Sequence, residues 1–173
     1  MDGEPLLDRE VIGTKKFGGG NIMVWGCIGW EGTGDLVYIE GKMNADQYVD
    51  IMENGLLSSV EKLGMDLDGI IFQQDNNPKH TSKKAKQWFE EHRIQLLDWP
   101  AQSPDLNPIE HLWKLLKRKI YDYDNSAEGV NESWDRAAKA WLEITPEEVQ
   151  NLIESMPRRI TAVINAKGGH TKY

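Results

Sequence analysis

The sequence predicts an α/β or α+β domain in which a mixed sheet carries helices on its faces. Three observations point there. Segments with strand character come first, over residues 22–40; strand and helix patterns then alternate over 44–99; helix patterns alone fill the chain from residue 107. A length of 173 residues suits one domain with a sizeable core rather than two. Hydrophobic residues at 39% and charged residues at 28% are the proportions of a globular chain, not a disordered one.

The elements follow in order. The first 17 residues are polar and read as a loop or frayed arm, and the glycines at 18–20 are a flexible break. Residues 22–30 pack Met, Val, Trp, Cys and Ile into a run suited to a buried strand. With the turn chemistry of 31–34 and the alternation of 35–40, that run makes a hairpin. Tyr48, Ile51, Met52, Leu56, Val60 and Leu63 recur at helical spacing, which predicts an amphipathic helix over 44–63 packed on the sheet. Residues 70–74 pass from apolar to polar and end at Asp75, a strand opening into the turn Asn76-Asn77-Pro78. Ala85, Trp88, Phe89 and His92 share one face of a helix over 80–91; 94–99 is the next strand, and 100–108, with three prolines, is a loop. Asn107 as N-cap with Pro108 at the first helical position starts a helix whose stripe is Ile109, Leu112, Trp113, Leu116 and Ile120. Trp134, Ala137, Ala138, Trp141 and Leu142 define another. Thr145 to Glu148 form a capping box for the last, with a stripe of Val149, Leu152, Ile153, Met156, Ile160 and Val163.

Composition narrows the function. No apolar run approaches the ~20 residues that span a bilayer, and the N-terminus shows no secretory pattern. Cys27 is the only cysteine, so an internal disulfide and a cysteine-rich zinc site are excluded, and an intracellular location is the expectation. The net charge of −8 argues against nucleic acid until its distribution is read. Residues 1–66 hold 5 Lys/Arg against 12 Asp/Glu, whereas residues 79–119 hold 9 against 5. An acidic chain with a basic middle fits either a solvated lysine-bearing helix face or a phosphate-binding surface.

Two acids stand out by context. Asp75 ends an apolar strand, where ligands gather in α/β sheets. Glu110 sits in the first turn of the helix after the proline-rich loop. Two carboxylates brought together can hold one or two Mg²⁺ ions, which take oxygen ligands. Each acid also has an ordinary explanation: Asp75 suits a turn, and Glu110 suits a helix N-terminus.

Longer motifs bear on that choice. Residues 73–82, QQDNNPKHTS, and 96–113, LLDWPAQSPDLNPIEHLW, resemble the signature of the Tc/mariner superfamily of DDE transposases. Asp75 and Glu110 fall at its second and third catalytic acids, with 34 residues between them. GGGNIMVWGCI at 18–28 is similar to the family's preceding glycine-rich strand, and the resemblance covers roughly residues 9–120.

The resemblance implies a ribonuclease H-like fold in which three acids hold two Mg²⁺ (or Mn²⁺) ions for DNA cleavage and strand transfer. It makes Asp75 and Glu110 metal ligands, with DNA (transposon ends and target) as partner, a possible homodimer, and the nucleus as location. Lys114 and Lys117 lie at i+4 and i+7 from Glu110, and Lys79, Lys83, Lys84 and Lys86 flank Asp75, so these lysines are the expected phosphate contacts. His80 and His111 adjoin the motifs and are expected to be structural or to support the ligands, because Mg²⁺ favours oxygen.

The family's first acid belongs to an opening strand upstream of the part resembling residues 9–20. Asp2 and Asp8 lie in a stretch without strand character and are not convincing substitutes. The expected organisation is therefore an arm over 1–20, a partial core over 21–121 lacking its first strand, and a helical extension of the same domain over 122–173. The resemblance also implies an N-terminal helix-turn-helix region, which is not expected among these 173 residues. Such a core is expected to be inactive alone; a non-catalytic module that binds nucleic acid or protein is the alternative. A missing central strand leaves costly unpaired edges. The chain is therefore expected to be poorly stable, to pair with another chain, or to recruit residues 1–17 into the gap.

Overall fold

The computed structural model describes residues 5–12, 22–98 and 106–167. Five strands form one mixed sheet: β1 (Pro5–Ile12), β2 (Ile22–Gly29), β3 (Gly32–Ile39), β4 (Ile71–Gln73) and β5 (Gln95–Leu96). Their spatial order is β3-β2-β1-β4-β5. The pairs β1–β2 and β2–β3 are antiparallel, and β1–β4 and β4–β5 are parallel.

The expected arm is corrected here. Residues 5–12 are not loop but the central strand, in register Leu7↔Ile28 on one side and Leu7↔Gln73 on the other. No gap is left, and of the three expectations for the missing strand, recruitment of the opening residues is the one observed. The physical reason is that β2 and β4 each need a partner for their inner edge. The segment PLLDREVI offers Leu6, Leu7, Val11 and Ile12 around a charged middle, where the ladder to β2 is bulged between Asp8 and Glu10. Asp8, read as lying outside any strand, is therefore a strand residue.

Seven α-helices are described: α1 (Ala45–Ile51), α2 (Leu57–Lys62), α3 (Lys83–Glu91), α4 (Ile109–Tyr121), α5 (Val130–Leu142), α6 (Pro146–Ile153) and α7 (Met156–Asn165). The helix expected over 44–63 is α1 and α2 joined through a π-helical turn at Met52–Leu56. Its start is a capping box: Asn44 Oδ1 accepts from the Gln47 amide at 2.8 Å and Gln47 Oε1 from the Asn44 amide at 3.0 Å. The turn brings Gly55 so close to Trp25 and Val37 that a Cβ would meet Val37 Cγ2 at 2.9 Å.

Two stripes differ from expectation. In α5 the buried positions include Ala137, Ala140 and Trp141, while Leu142 is 75% exposed. The last expected helix is broken into α6 and α7, and Ile160, expected inside, is 46% exposed while Arg159 beside it is buried. The predicted Thr145 capping box does open α6. The strand expected over 94–99 is reduced to Gln95–Leu96, and the loop residues 100–105 lie outside the described residues.

The sheet separates two cores. Trp25 and Cys27 of β2 join Tyr48, Met52, Leu56, Phe72, Trp88 and Phe89 on one face. Ile22, Val24 and Ile28 join Ile109, Leu112, Trp113, Leu116, Trp141 and Val149 on the other. This division is the period-2 alternation of a strand buried on both sides. It makes three layers: α1 to α3, the sheet, and α4 to α6.

Gly34 on β3 is closed in by side chains. A Cβ there would meet Cys27 Sγ at 2.6 Å and Ser59 Oγ at 2.6 Å, and Ser59 is itself committed to the Asp35 amide at 2.8 Å and the Gly55 carbonyl at 2.6 Å. Gly34→Ala is expected to cost about 1–3 kcal/mol by overpacking. In urea unfolding this would appear as a lower midpoint at unchanged slope, and a midpoint equal to the parent's would refute the packing argument.

Candidate active site

Asp75 stands two residues beyond β4, at the carboxyl end of the parallel part of the sheet. Phe72 stacks on Phe89 of α3, and Gln74 accepts a short hydrogen bond from the Tyr48 hydroxyl of α1. Residues 72 and 74 thus face the first core. Asp75 lies just past the end of the ladder, and its side chain meets His80. The Asn76–Pro78 turn is built on Asp75: the Asn77 amide donates to Asp75 Oδ1 at 3.0 Å, and the His80 and Thr81 amides donate to the Asn77 carbonyl at 2.9 and 3.1 Å.

The same Asp75 oxygen meets His80 Nδ1 at 2.6 Å. His80 is 1% exposed and Asp75 48%, so a half-exposed carboxylate is backed by a buried ring. That ring lies 4.3 Å from the Tyr48 ring, centroid to centroid. Gln74 Nε2 donates to the His80 carbonyl at 3.3 Å, which closes a buried polar chain from Tyr48 to Asp75.

Glu110 is half-buried in the first turn of α4. Ile109, fully buried in the second core, pins the helix start, and α4 packs against β1, the strand next to β4. Asn107 caps differently from expectation. Its carbonyl accepts from the Glu110 amide at 3.2 Å, while its side-chain Oδ1 is buried without a hydrogen bond among the described residues. Pro108 remains αR at the helix entry.

The basic residues spread around these elements. Lys83 is exposed at the start of α3, and Lys79 is half-buried in the Asn76–Pro78 turn region. Lys84 is ion-paired with Asp46 of α1, both about two-thirds exposed, which is a weak engagement. Lys114 is exposed and Lys117 half-buried on α4, one and two turns after Glu110. Lys86, with His80, Thr81 and Asp98, lines a cavity of about 310 Å³ beyond the ends of β4 and β5.

Sequence reasoning missed Arg159. It is buried on α7, donates from Nε to Ser155 Oγ at 2.6 Å and from Nη1 to His111 Nδ1 at 3.1 Å, and so ties α7 to the residue beside Glu110. An arginine inside an apolar stripe was the available signal. His111 thus meets α7 through Arg159.

Asp75 and Glu110 are oxygen donors suited to Mg²⁺ or Mn²⁺. Among the described residues no group of three or more His, Cys, Asp or Glu could hold a metal ion. These donors fit the cation as a partial set.

A mixed sheet in this order with helices on both faces defines a ribonuclease H-like fold. The family model described as DDE superfamily endonuclease matches residues 9–130, and the chain belongs to that family, on its Tc/mariner branch. It is 47% identical over 161 residues to the Tcb1 transposable element transposase of Caenorhabditis briggsae, covering 92% of this chain and 57% of that protein. The chain therefore spans little more than half the length of this curated relative. Its fold matches the Mos1 transposase catalytic domain solved with raltegravir and Mg at a TM-score of 0.80 and 17% identity, covering 97% of this chain and 85% of that one. A Mos1 paired-end complex with the left transposon end matches at a TM-score of 0.78 and 19% identity, over 90% of this chain and 46% of that one.

Proposed function

We propose that this chain is the catalytic core of a cut-and-paste DNA transposase, in which Asp75 and Glu110 hold divalent cations against a DNA phosphodiester. The observation that carries the reading is the Asp75 carboxylate, half-exposed at the sheet end yet fixed through one oxygen by His80 and the Asn77 amide. The Mos1 catalytic domain, solved with Mg and with Mn, supports the choice of Mg²⁺ or Mn²⁺, and we propose two ions in a complete site. When bound, such ions activate an attacking oxygen and stabilise a leaving one. The chain's own residues orient: Asp75 presents a carboxylate held through Oδ1, Glu110 offers a second carboxylate from the first turn of α4, and the lysines of α3 and α4 hold phosphates in register. Two of the family's three acids are assigned here, and the assay below reads whether a third completes the site.

The test is nicking of a short labelled duplex by the purified chain in Mn²⁺. Cleavage that requires the cation and survives further purification supports the reading. A folded chain that binds duplex but never nicks it favours a non-catalytic nucleic-acid-binding module. We place its action in the nucleus and, by analogy with the Mos1 paired-end complex, on transposon ends by two copies, which sedimentation with and without end DNA checks.

Phosphate binding has its own signature. Each phosphate contact removed by Lys83→Gln, Lys114→Gln or Lys117→Gln is expected to lower the slope of log affinity against log salt by about 0.9. An unchanged slope in all three would remove these lysines from the interface.

A further inference from the structure

We propose that His80 is a positioning residue for Asp75, locked by a buried chain from Tyr48 through Gln74, and that it sets the affinity of the Asp75 carboxylate for a divalent cation. This rests on the reading of Asp75 as a metal ligand.

The geometry carries the argument. The two hydrogen bonds described above both fall on one carboxylate oxygen, Oδ1: His80 Nδ1 at 2.6 Å and the Asn77 amide at 3.0 Å. A carboxylate held twice through one oxygen loses its freedom to rotate. The carboxylate can only accept, so the ring proton is assigned to Nδ1. The ring's other nitrogen, Nε2, is buried and makes no hydrogen bond among the described residues. An imidazole present only to fill space would leave that nitrogen's solvation cost without recompense, since an apolar ring would pack as well.

The ring in turn has little room to move. It lies tilted by 31° over Tyr48, whose hydroxyl bonds Gln74, and Gln74 reaches back to the His80 carbonyl at 3.3 Å. Tyr48 is fully buried in the first core beside Ile51 and Met52. Core packing is thereby transmitted to the carboxylate at the sheet end. Residues that orient metal ligands in this way are typically worth about 10–100-fold in metal affinity.

Mn²⁺ titration of the full chain, followed by electron paramagnetic resonance of the free ion, tests this without an activity assay. Melting in the absence of metal controls for folding. His80→Ala is expected to weaken Mn²⁺ binding about 10–100-fold. His80→Asn, whose amide N–H takes the place of Nδ1–H, recovers most of the loss; His80→Gln, whose amide reaches the Nε2 position instead, does not. The Asn and Gln pair decides the matter if the alanine variant fails to fold. Equal weakening by Asn and Gln, or parent-like binding by His80→Ala, overturns the positioning role. Asp75→Asn separates the two readings: if it too binds Mn²⁺ like the parent, the metal-ligand reading fails whatever His80 does.

Discussion

Asp75→Asn is expected to lower Mn²⁺-dependent nicking of duplex DNA by about a thousandfold or more. The substitution keeps the side chain's size and an oxygen for the Asn77 amide, so the fold is left in place. It removes the negative charge that would hold the cation. Loss of one properly placed metal ligand forfeits several kcal/mol of transition-state stabilisation, and about 4 kcal/mol corresponds to a thousandfold in rate. The measurement is initial nicking rate at saturating Mn²⁺, with the melting temperature of both proteins alongside. Parent and variant nicking at the same rate would sink the assignment of Asp75. Absence of nicking by both, in folded and DNA-binding protein, leaves the binding-module reading standing.

Trp141→Ala is expected to cost about 3–5 kcal/mol of stability, a large part of the ~5–15 kcal/mol that holds a typical domain folded. Trp141 is buried on α5, with its ring 5.2 Å from that of Trp113 at 22°. Both rings lie over Gly26, where a Cβ would meet Trp141 at 3.0 Å and Trp113 at 3.1 Å. The indole N–H donates to the Gly34 carbonyl at 2.9 Å, so this side chain fastens α5 to both β2 and β3. Trp141→Phe retains most of the ring and gives up the hydrogen bond, for a loss of about 1 kcal/mol. Urea unfolding of both variants gives the comparison. An alanine variant within about 1 kcal/mol of the parent would mean that the second core does not depend on this stack.

The two candidate acids were legible in the sequence because each sits at a punctuated boundary. Asp75 ends an apolar run before Asn76-Asn77-Pro78, and Glu110 follows Asn107-Pro108; both placements reappear in the structure. The support beneath Asp75 was not legible. Tyr48 is 27 residues upstream, and nothing in helical spacing distinguishes it from the other members of the α1 stripe. Arg159 escaped for a related reason. The stripe read as continuous is interrupted at Glu154–Ser155, and on the following helix an arginine is buried where Ile160 was expected.

By itself the sequence determined the class of the domain, the hairpin of β2 and β3, the α4 stripe, the Thr145 cap and the family motifs. All of these are encoded by neighbours within one or two turns of chain, where spacing and turn chemistry suffice. Only the tertiary structure decided the fate of the opening residues. A charged octapeptide has weak strand character of its own, and it becomes the central strand because β2 and β4 offer two unsatisfied edges to the same segment. The tertiary structure likewise decided that a buried histidine stands behind the half-exposed aspartate, since contacts between α1, β4 and the following turn exist only once the sheet has brought them together.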